Sequence, residues 1–332
     1  MVKRESLSKV KFISNSDTET ILYLIDNLGI NKALSLLDGM VSIVIYSIES
    51  NKLFFYRDRS AQKPLFYSFS SDYKTFSISS NPSLFFKISN AFQREYEIPE
   101  LINYFSTGFT NLPKTLYKRT FSAVPGHLYQ YNLSDNKIKQ IDNIVDIDEK
   151  IFSNKLNLHD FNFEAYHSIS SSIIGSRPCG ILLSGGIDST AVAIACASQD
   201  KILRAYTLFS DNENIEEYQQ ASKISSALGF EHISIELGIR EAIEVAENLS
   251  EIIDYPNPDP SIISTYSVAK EASKKDIILL TGDGGDEMFG GYNRYKIFIQ
   301  RFGSFYKYLN PYFKYKILKR YMRNFFTGFS LK

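Results

Sequence analysis

The chain has 332 residues, 44% hydrophobic and 22% charged, with 37 Lys and Arg against 37 Asp and Glu. This fits a soluble globular protein of two domains. A formal net charge of zero offers no global positive field to hold nucleic acid, and no uninterrupted apolar run approaches the roughly 18 residues of a membrane helix. The two cysteines, Cys179 and Cys196, make neither a disulfide framework nor a CxxC metal site. Met1-Val2-Lys3-Arg4 has no apolar run behind it, so no signal peptide is expected and the expected location is cytoplasmic.

In chain order, Asp17 to Leu28 carries helical apolar spacing at Ile21, Leu22, Ile25 and Leu28, with Gly29 as a stop. Met40 to Ile48 is apolar and β-branched, Glu49 to Lys52 is turn-like, and Leu53 to Tyr56 is apolar again, which predicts a hairpin. Leu65 to Phe69 and Thr75 to Ser79 read as a second strand pair around Ser70-Ser71-Asp72. From about residue 130, Asn, Asp and Lys dominate without a clear period. We therefore expect a β-rich first domain at 1–135, a linker at 136–160 and a second domain at 161–332.

From Phe161 helix and strand alternate. A helix precedes Arg177-Pro178, and Cys179 to Leu183 is a short strand. Asp188 to Gln199 is a helix apolar on nearly every side, hence expected to be buried. Ala205 to Phe209 is a strand, Glu216 to Leu228 a helix stopped by Gly229, and His232 to Leu237 and Asp276 to Leu280 are further strands. This βαβ alternation predicts an α/β fold with a doubly wound parallel sheet. The aromatic and basic tail from Tyr295 to Lys332 reads as a helix pair packed on protein, because its charges do not gather on one face as a membrane-surface helix requires.

The strongest chemical signal is Leu183-Ser184-Gly185-Gly186-Ile187-Asp188-Ser189. A buried strand runs into a Ser/Gly turn and then a helix. Glycines let the backbone approach a ligand, and amides at a helix start favour an anion. The hydroxyls of Ser184 and Ser189 add donors. Asp188 would repel a lone phosphate, but fits if Mg²⁺ bridges carboxylate and phosphate. The loop lacks the lysine of the Walker pattern. The second signal is Thr281-Gly282-Asp283-Gly284-Gly285-Asp286-Glu287-Met288-Phe289-Gly290-Gly291-Tyr292, glycines interleaved with acids after another strand. Clustered carboxylates repel unless a cation neutralises them. Both loops lie at strand ends, where open α/β sheets bind ligands, so they are expected to converge on one nucleotide.

The first loop resembles the S-G-G-x-D-S pyrophosphate loop of adenylating amidotransferases and related ATP pyrophosphatases. Thr281 to Tyr292 resembles the G-[DE]-G-[AGS]-D-E-x-F-G-G-Y segment of the glutamine-hydrolysing asparagine synthetase family, and Asp254 to Ser261 resembles its Pro-rich segment. By that resemblance Leu183 and Leu208 border adenine through their backbones, and Thr281 and Gly282 touch the AMP part. Ser184, Gly185, Gly186 and Ser189 hold pyrophosphate, Asp188 and Asp286 bind Mg²⁺, and Asp283 takes a catalytic position near the acyl-adenylate. The reaction implied joins aspartate and ammonia with ATP. The small molecules are its partners, with a homodimer or self-association as the expected assembly.

The first domain resembles the later part of the family's class II glutaminase domain. The matching landmarks are Ser16-Asp17-Thr18-Glu19, Leu37 to Met40, Arg57-Asp58-Arg59 with Lys63-Pro64-Leu65, and Val124 to His127. Asp17 would contact the α-amino group of glutamine. The family's nucleophile is an N-terminal cysteine, whereas no cysteine here precedes Cys179, so glutaminase activity is expected to be lost. The family also continues past G-G-Y, so the chain is expected to be its middle portion. Beta-lactam synthetases, lasso-peptide cyclases and sugar-acid amidating relatives offer other carboxylates. An inactive nucleotide-binding fragment is the non-enzymatic alternative.

Overall fold

The helix expected after Ser16 forms over Asp17–Leu28 (α1). The Ser16 hydroxyl accepts the Thr18 amide at 3.2 Å, and Glu19 reaches back to the amides of Ile13 and Ser14. These bonds satisfy donors near the helix start that lack partners within it. Gly29, at φ +77°, stops the helix. The computed structural model describes residues 10–14, 16–144, 165–170, 173, 177–197, 203–210, 215–253, 255–293, 295–297 and 300. It divides into a first unit, Met1–Ser153 with Asp254–Pro258 among its segments, and a second, Asn154–Ile253 with Asp259–Ile317.

In the first unit the expected hairpin is β1 (Ser42–Ser47) against β2 (Lys52–Arg57), and the second pair is β3 (Phe66–Phe69) against β4 (Phe76–Ser79), both antiparallel. With β5 (Thr120–Ser122), β6 (His127–Asn132) and β7 (Lys137–Asn143) they form two sheets, ordered β1-β2-β6-β7 and β4-β3-β5. Side-chain alternation decides the layering. Phe55, Tyr129 and Tyr131 of the first sheet meet Tyr67, Phe69, Phe76 and Phe121 of the second in one aromatic core. On the outer faces, Leu34 of α2 (Ile30–Ser35) packs on Tyr56 and Leu128, and Phe85 of α3 (Ser83–Ile88) packs near Phe66. The layers are therefore helix, sheet, sheet, helix. A further helix, α4, spans Ile98–Thr107.

Strand β7 corrects the expectation of a linker from residue 136. Its sequence alternates weakly, with Ile138 turned to the aromatic core, and backbone pairing with β6 creates the strand. From residue 145 on, the expected linker lies outside the described residues. The Arg57-Asp58 landmark is buried and internally satisfied. Asp58 accepts the amides of Val41, Ser60, Gln62 and Lys63 at 3.0–3.3 Å. Arg57 donates to the carbonyls of Ala61, Lys63 and Ala123 and to Ser122 Oγ. Burial pushes the Arg57 guanidinium down to about 10 against the opposing pull of Asp58. This pair braces a turn.

The second unit is the expected doubly wound sheet. Residues 165–170 are helical. Strands β8 (Cys179–Leu182), β9 (Arg204–Phe209), β10 (Glu231–Glu236) and β11 (Ile278–Leu280) are all parallel, in the order β10-β9-β8-β11. One face packs Ile181, Leu183 and Ala205 under α5 (Ile187–Ala197) and α6 (Ile215–Leu228), through Ala193, Cys196 and Ala221. The other packs Tyr206, Ile233 and Ile235 against Val268 and Ala272. After β10 come α7 (Ile239–Glu247), α8 (Leu249–Ile252) and α9 (Ser261–Ala272), which carries Val268 and Ala272. Helix α10 (Gly285–Phe289) follows β11. Against expectation, α5 is not buried all round: Ile187 and Ile194 are exposed, because the sheet covers one side of the helix. No described helix is long and apolar enough to cross a membrane. The tail read from Tyr295 to Lys332 lies almost wholly outside the described residues.

Candidate functional site

The chain leaves β8 toward β9 and β10 on one side and returns to β8's other edge as β11. The crossovers part between β8 and β11, which makes this a topological switch point. Ile278, Leu279 and Leu280 pair with Cys179, Gly180 and Ile181. The two loops singled out in the sequence therefore leave adjacent strands at the same end of the sheet.

The first loop is held by its own hydroxyls. Ser189 Oγ accepts the Ser184 amide at 3.3 Å, lies 3.0 Å from Ser184 Oγ and donates to the Gly186 carbonyl. Thr190 Oγ1 donates to the same carbonyl at 2.6 Å. Gly185 has φ +79°, and a Cβ there would stand 3.0 Å from the Glu217 carbonyl and 3.2 Å from the Ala221 nitrogen of α6. Both the backbone angle and the space demand glycine. Helix α5 begins directly after Gly186 and carries Asp188 in its first turn.

The second loop lies on the first. A Cβ on Gly282 would stand 2.7 Å from the Ser189 nitrogen, and one on Gly285 would overlap the Asp188 carboxylate. Gly284, at φ +93°, opens α10. Asp286 rests against Gly291, whose glycine leaves room for the carboxylate. The Asp283 amide reaches Thr281 Oγ1 at 3.4 Å. The arrangement brings Ser184, Gly185, Gly186, Asp188, Ser189, Gly282 and Gly285 together. Leu183 is buried at the end of β8 and Leu208 half-buried on β9, while Asp283 is exposed. Asp17 stands exposed in the first turn of α1, in the first unit.

Among the described residues no hydrogen bond or ion pair engages the carboxylates of Asp188, Asp283 or Asp286, and no group of three His, Cys, Asp or Glu side chains is arranged to hold a metal. Magnesium in nucleotide sites takes one or two carboxylates and fills its shell with phosphate and water. Asp188 and Asp286 fit that mode, and do not fit a closed protein cage. Sequence reasoning missed two supports. Thr207 Oγ1 donates to the Leu183 carbonyl at 2.7 Å, and the Leu183 amide donates to Tyr206 at 2.9 Å, so both backbone groups of Leu183 have partners inside the sheet. Helix α6 backs Gly185. Neither contact has a local motif, since strand register sets the first and the packing of α6 on the loop sets the second.

Comparison with known proteins gives two domain matches: the asparagine synthase family over residues 165–326 and the glutamine amidotransferase domain over residues 2–141. The chain is 29% identical over 288 residues to glutamine-hydrolyzing asparagine synthetase 1 of Bacillus subtilis, covering 86% of this chain and 44% of that protein. It is 28% identical over 302 residues to putative glutamine-hydrolyzing asparagine synthetase 2 of Methanocaldococcus jannaschii, covering 88% and 58%. The rat asparagine synthetase matches at 25% over 308 residues, covering 85% and 51%. The chain thus spans about half the length of these relatives.

Proposed function

This chain belongs to the asparagine synthetase family, and from that membership we propose that it is an ATP-dependent, amide-forming ligase of the asparagine synthase type. Aspartate is the proposed carboxylate. One of its β-carboxylate oxygens attacks the α-phosphorus of ATP, the bond to the β-phosphate bridge breaks, and pyrophosphate leaves. Ammonia then attacks the activated carbonyl, AMP leaves with the bonding pair, and the amide remains after loss of a proton. The observation that carries this reading is the contact of Gly282 and Gly285 with Ser189 and Asp188, which puts both loops at one switch point.

In this reading Ser184, Gly185, Gly186 and Ser189 hold the pyrophosphate. Leu183, Leu208, Thr281 and Gly282 line the adenosine part, and Asp283 faces the acyl-adenylate. Magnesium supplies positive charge to the phosphates when bound, and Asp188 and Asp286 are the side chains that would hold it. Glutamine hydrolysis is not proposed for these residues. That chemistry needs a reactive thiolate. Cys179 and Cys196 are buried in the second unit's core, and burial, with Cys179 nearby, pushes the Cys196 thiol up to about 12. Asp17 is then a remnant of a glutamine contact. The cytoplasm is the proposed compartment. Self-association through exposed Met288 and Phe289 belongs to the same reading, with light scattering as its check.

The deciding experiment is aspartate-dependent exchange of labelled pyrophosphate into ATP by the purified chain. Exchange that requires aspartate supports the reading. Exchange with a different carboxylate moves the substrate within the family, and no exchange with any carboxylate sinks the ligase assignment for this chain. Glutamate release from glutamine, measured beside it, is expected at background.

A further inference from the structure

His232, in β10, is half-buried and lies outside both loops. The parallel register pairs it with Ala205, so it shares a sheet face with Thr207 two residues on. Its Nε2 stands 2.9 Å from Thr207 Oγ1. Thr207 has a single hydroxyl hydrogen, and that hydrogen goes to the Leu183 carbonyl at 2.7 Å. Thr207 must therefore accept from His232, which fixes the proton on Nε2. The chain of donation runs from His232 through Thr207 to the last backbone carbonyl before Ser184.

The other side of the imidazole meets α6. The Tyr218 ring stacks on His232 with centroids 5.6 Å apart, and also packs on Phe209 at 5.1 Å. Beside Tyr218, the same turn of α6 presents the Glu217 carbonyl and Ala221 nitrogen to the crowded Gly185. His232 thus touches both supports of the first loop: Thr207, which holds the Leu183 carbonyl, and the helix that backs Gly185. Burial lowers the imidazole's pKa, in keeping with a neutral ring in this place.

We propose that His232 is a positioning residue, which through Thr207 and Tyr218 holds the Leu183–Gly186 backbone in the shape that receives the phosphates of a nucleoside triphosphate. This rests on the ligase reading for the identity of the ligand, but not for the geometry of the loop. Two of its features separate it from general core packing. The relay needs a hydrogen-bond donor at position 232, and it needs the hydroxyl at 207.

The test uses the full chain and MgATP. Removing one neutral hydrogen bond changes an equilibrium by about five-fold, so His232→Leu and Thr207→Val are each expected to raise the MgATP dissociation constant by about that factor. The double variant should lose no more than either single one, because both cut the same relay. His232→Gln, which keeps an N–H donor, and Thr207→Ser, which keeps the hydroxyl, should bind close to the parent. Amide hydrogen exchange in the ligand-free chain provides the second measurement. His232→Leu should speed exchange at Ser184 and Gly186 while the amides of β9 stay protected. Unchanged MgATP affinity in His232→Leu, additive losses in the double variant, or faster exchange spread evenly over the sheet would each overturn the proposal. If the parent chain binds no MgATP, the ligase reading fails by itself, and the exchange pattern at Ser184 and Gly186 still decides the relay.

Discussion

At the amino end of the parallel sheet, Asp276 accepts the Arg204 guanidinium at 2.9 Å and the Tyr206 hydroxyl at 2.7 Å, and Glu231 accepts Arg204 at 3.0 Å and Lys275 at 2.8 Å. Gly180 gives this cluster its room, since a Cβ there would stand 2.6 Å from the Tyr206 ring. At the carboxyl end, Asp188, Asp283 and Asp286 share two touching loops, and among the described residues none of the three forms an ion pair. Both ends carry acids. One end has spent its charge inside the protein, and the other has kept it. Unmatched like charges destabilise a fold, so a site that keeps them fits a ligand that arrives with its own cation. Asp58 in the first unit falls on the spent side, with four backbone amides on its carboxylate.

Substitutions at the two ends are expected to separate stability from binding. Asp276→Ala leaves Arg204 Nη1 and the buried Tyr206 hydroxyl without their acceptor, while Glu231 still holds Arg204 Nε. Breaking a buried pair from one side costs about 3–5 kcal/mol, and the exposed part of Arg204 puts this case at the lower end. Urea unfolding is expected to show that loss, while the folded fraction binds MgATP as the parent does. A loss of MgATP affinity beyond the unfolded fraction would erase the distinction between the ends. Asp188→Asn is expected to do the reverse. It keeps the shape of the loop and leaves the unfolding curve almost in place, but weakens MgATP by about ten-fold or more, the scale of a charged interaction. With EDTA present, the two chains should bind ATP alike. A ten-fold difference that persists without magnesium would assign Asp188 to the loop's architecture instead of its metal.

The carboxyl end was legible in the sequence because its chemistry is local. Glycine, serine and aspartate lie within seven residues in one loop, glycine and acids within twelve in the other, and each loop follows an apolar run that announces its strand. The amino end was not legible. Arg204, Glu231 and Asp276 carry no motif, and only the register of β8 to β11 sets them side by side. The same holds for β7, whose Ile138 and Ile141 are too sparse to signal a strand until β6 pairs with it. Helix α5 shows the opposite failure. Its composition reads as buried on every side, but a helix over a sheet turns one flank outward, and Ile187 and Ile194 stand there. Patterns that depend on the next few residues survive in the sequence, and contacts set by packing do not.

The smallest expected effect lies on the rim of the amino cluster. Lys275 and Glu231 are both about half exposed, at 49% and 46%, and a pair so open to water gains little from its charge. Lys275→Ala should leave the neutral-pH unfolding midpoint within the limit of detection of a careful thermal scan. The residual effect has a sign that pH reveals. The hydrogen bond from Lys275 is the leading cause that holds the Glu231 carboxyl below its ordinary pKa, with Arg204 adding to it. A carboxyl with a depressed folded pKa contributes stability above its unfolded pKa and loses it as pH falls through the folded one. Any gap between the parent and Lys275→Ala should therefore be present near neutrality and close in acid, once Glu231 is protonated in both chains. Strong salt should close it too. A gap that widens in acid, or a loss as large as that of Asp276→Ala, would place Lys275 among the buried members of the cluster, and the line between its core and its rim would have to be redrawn.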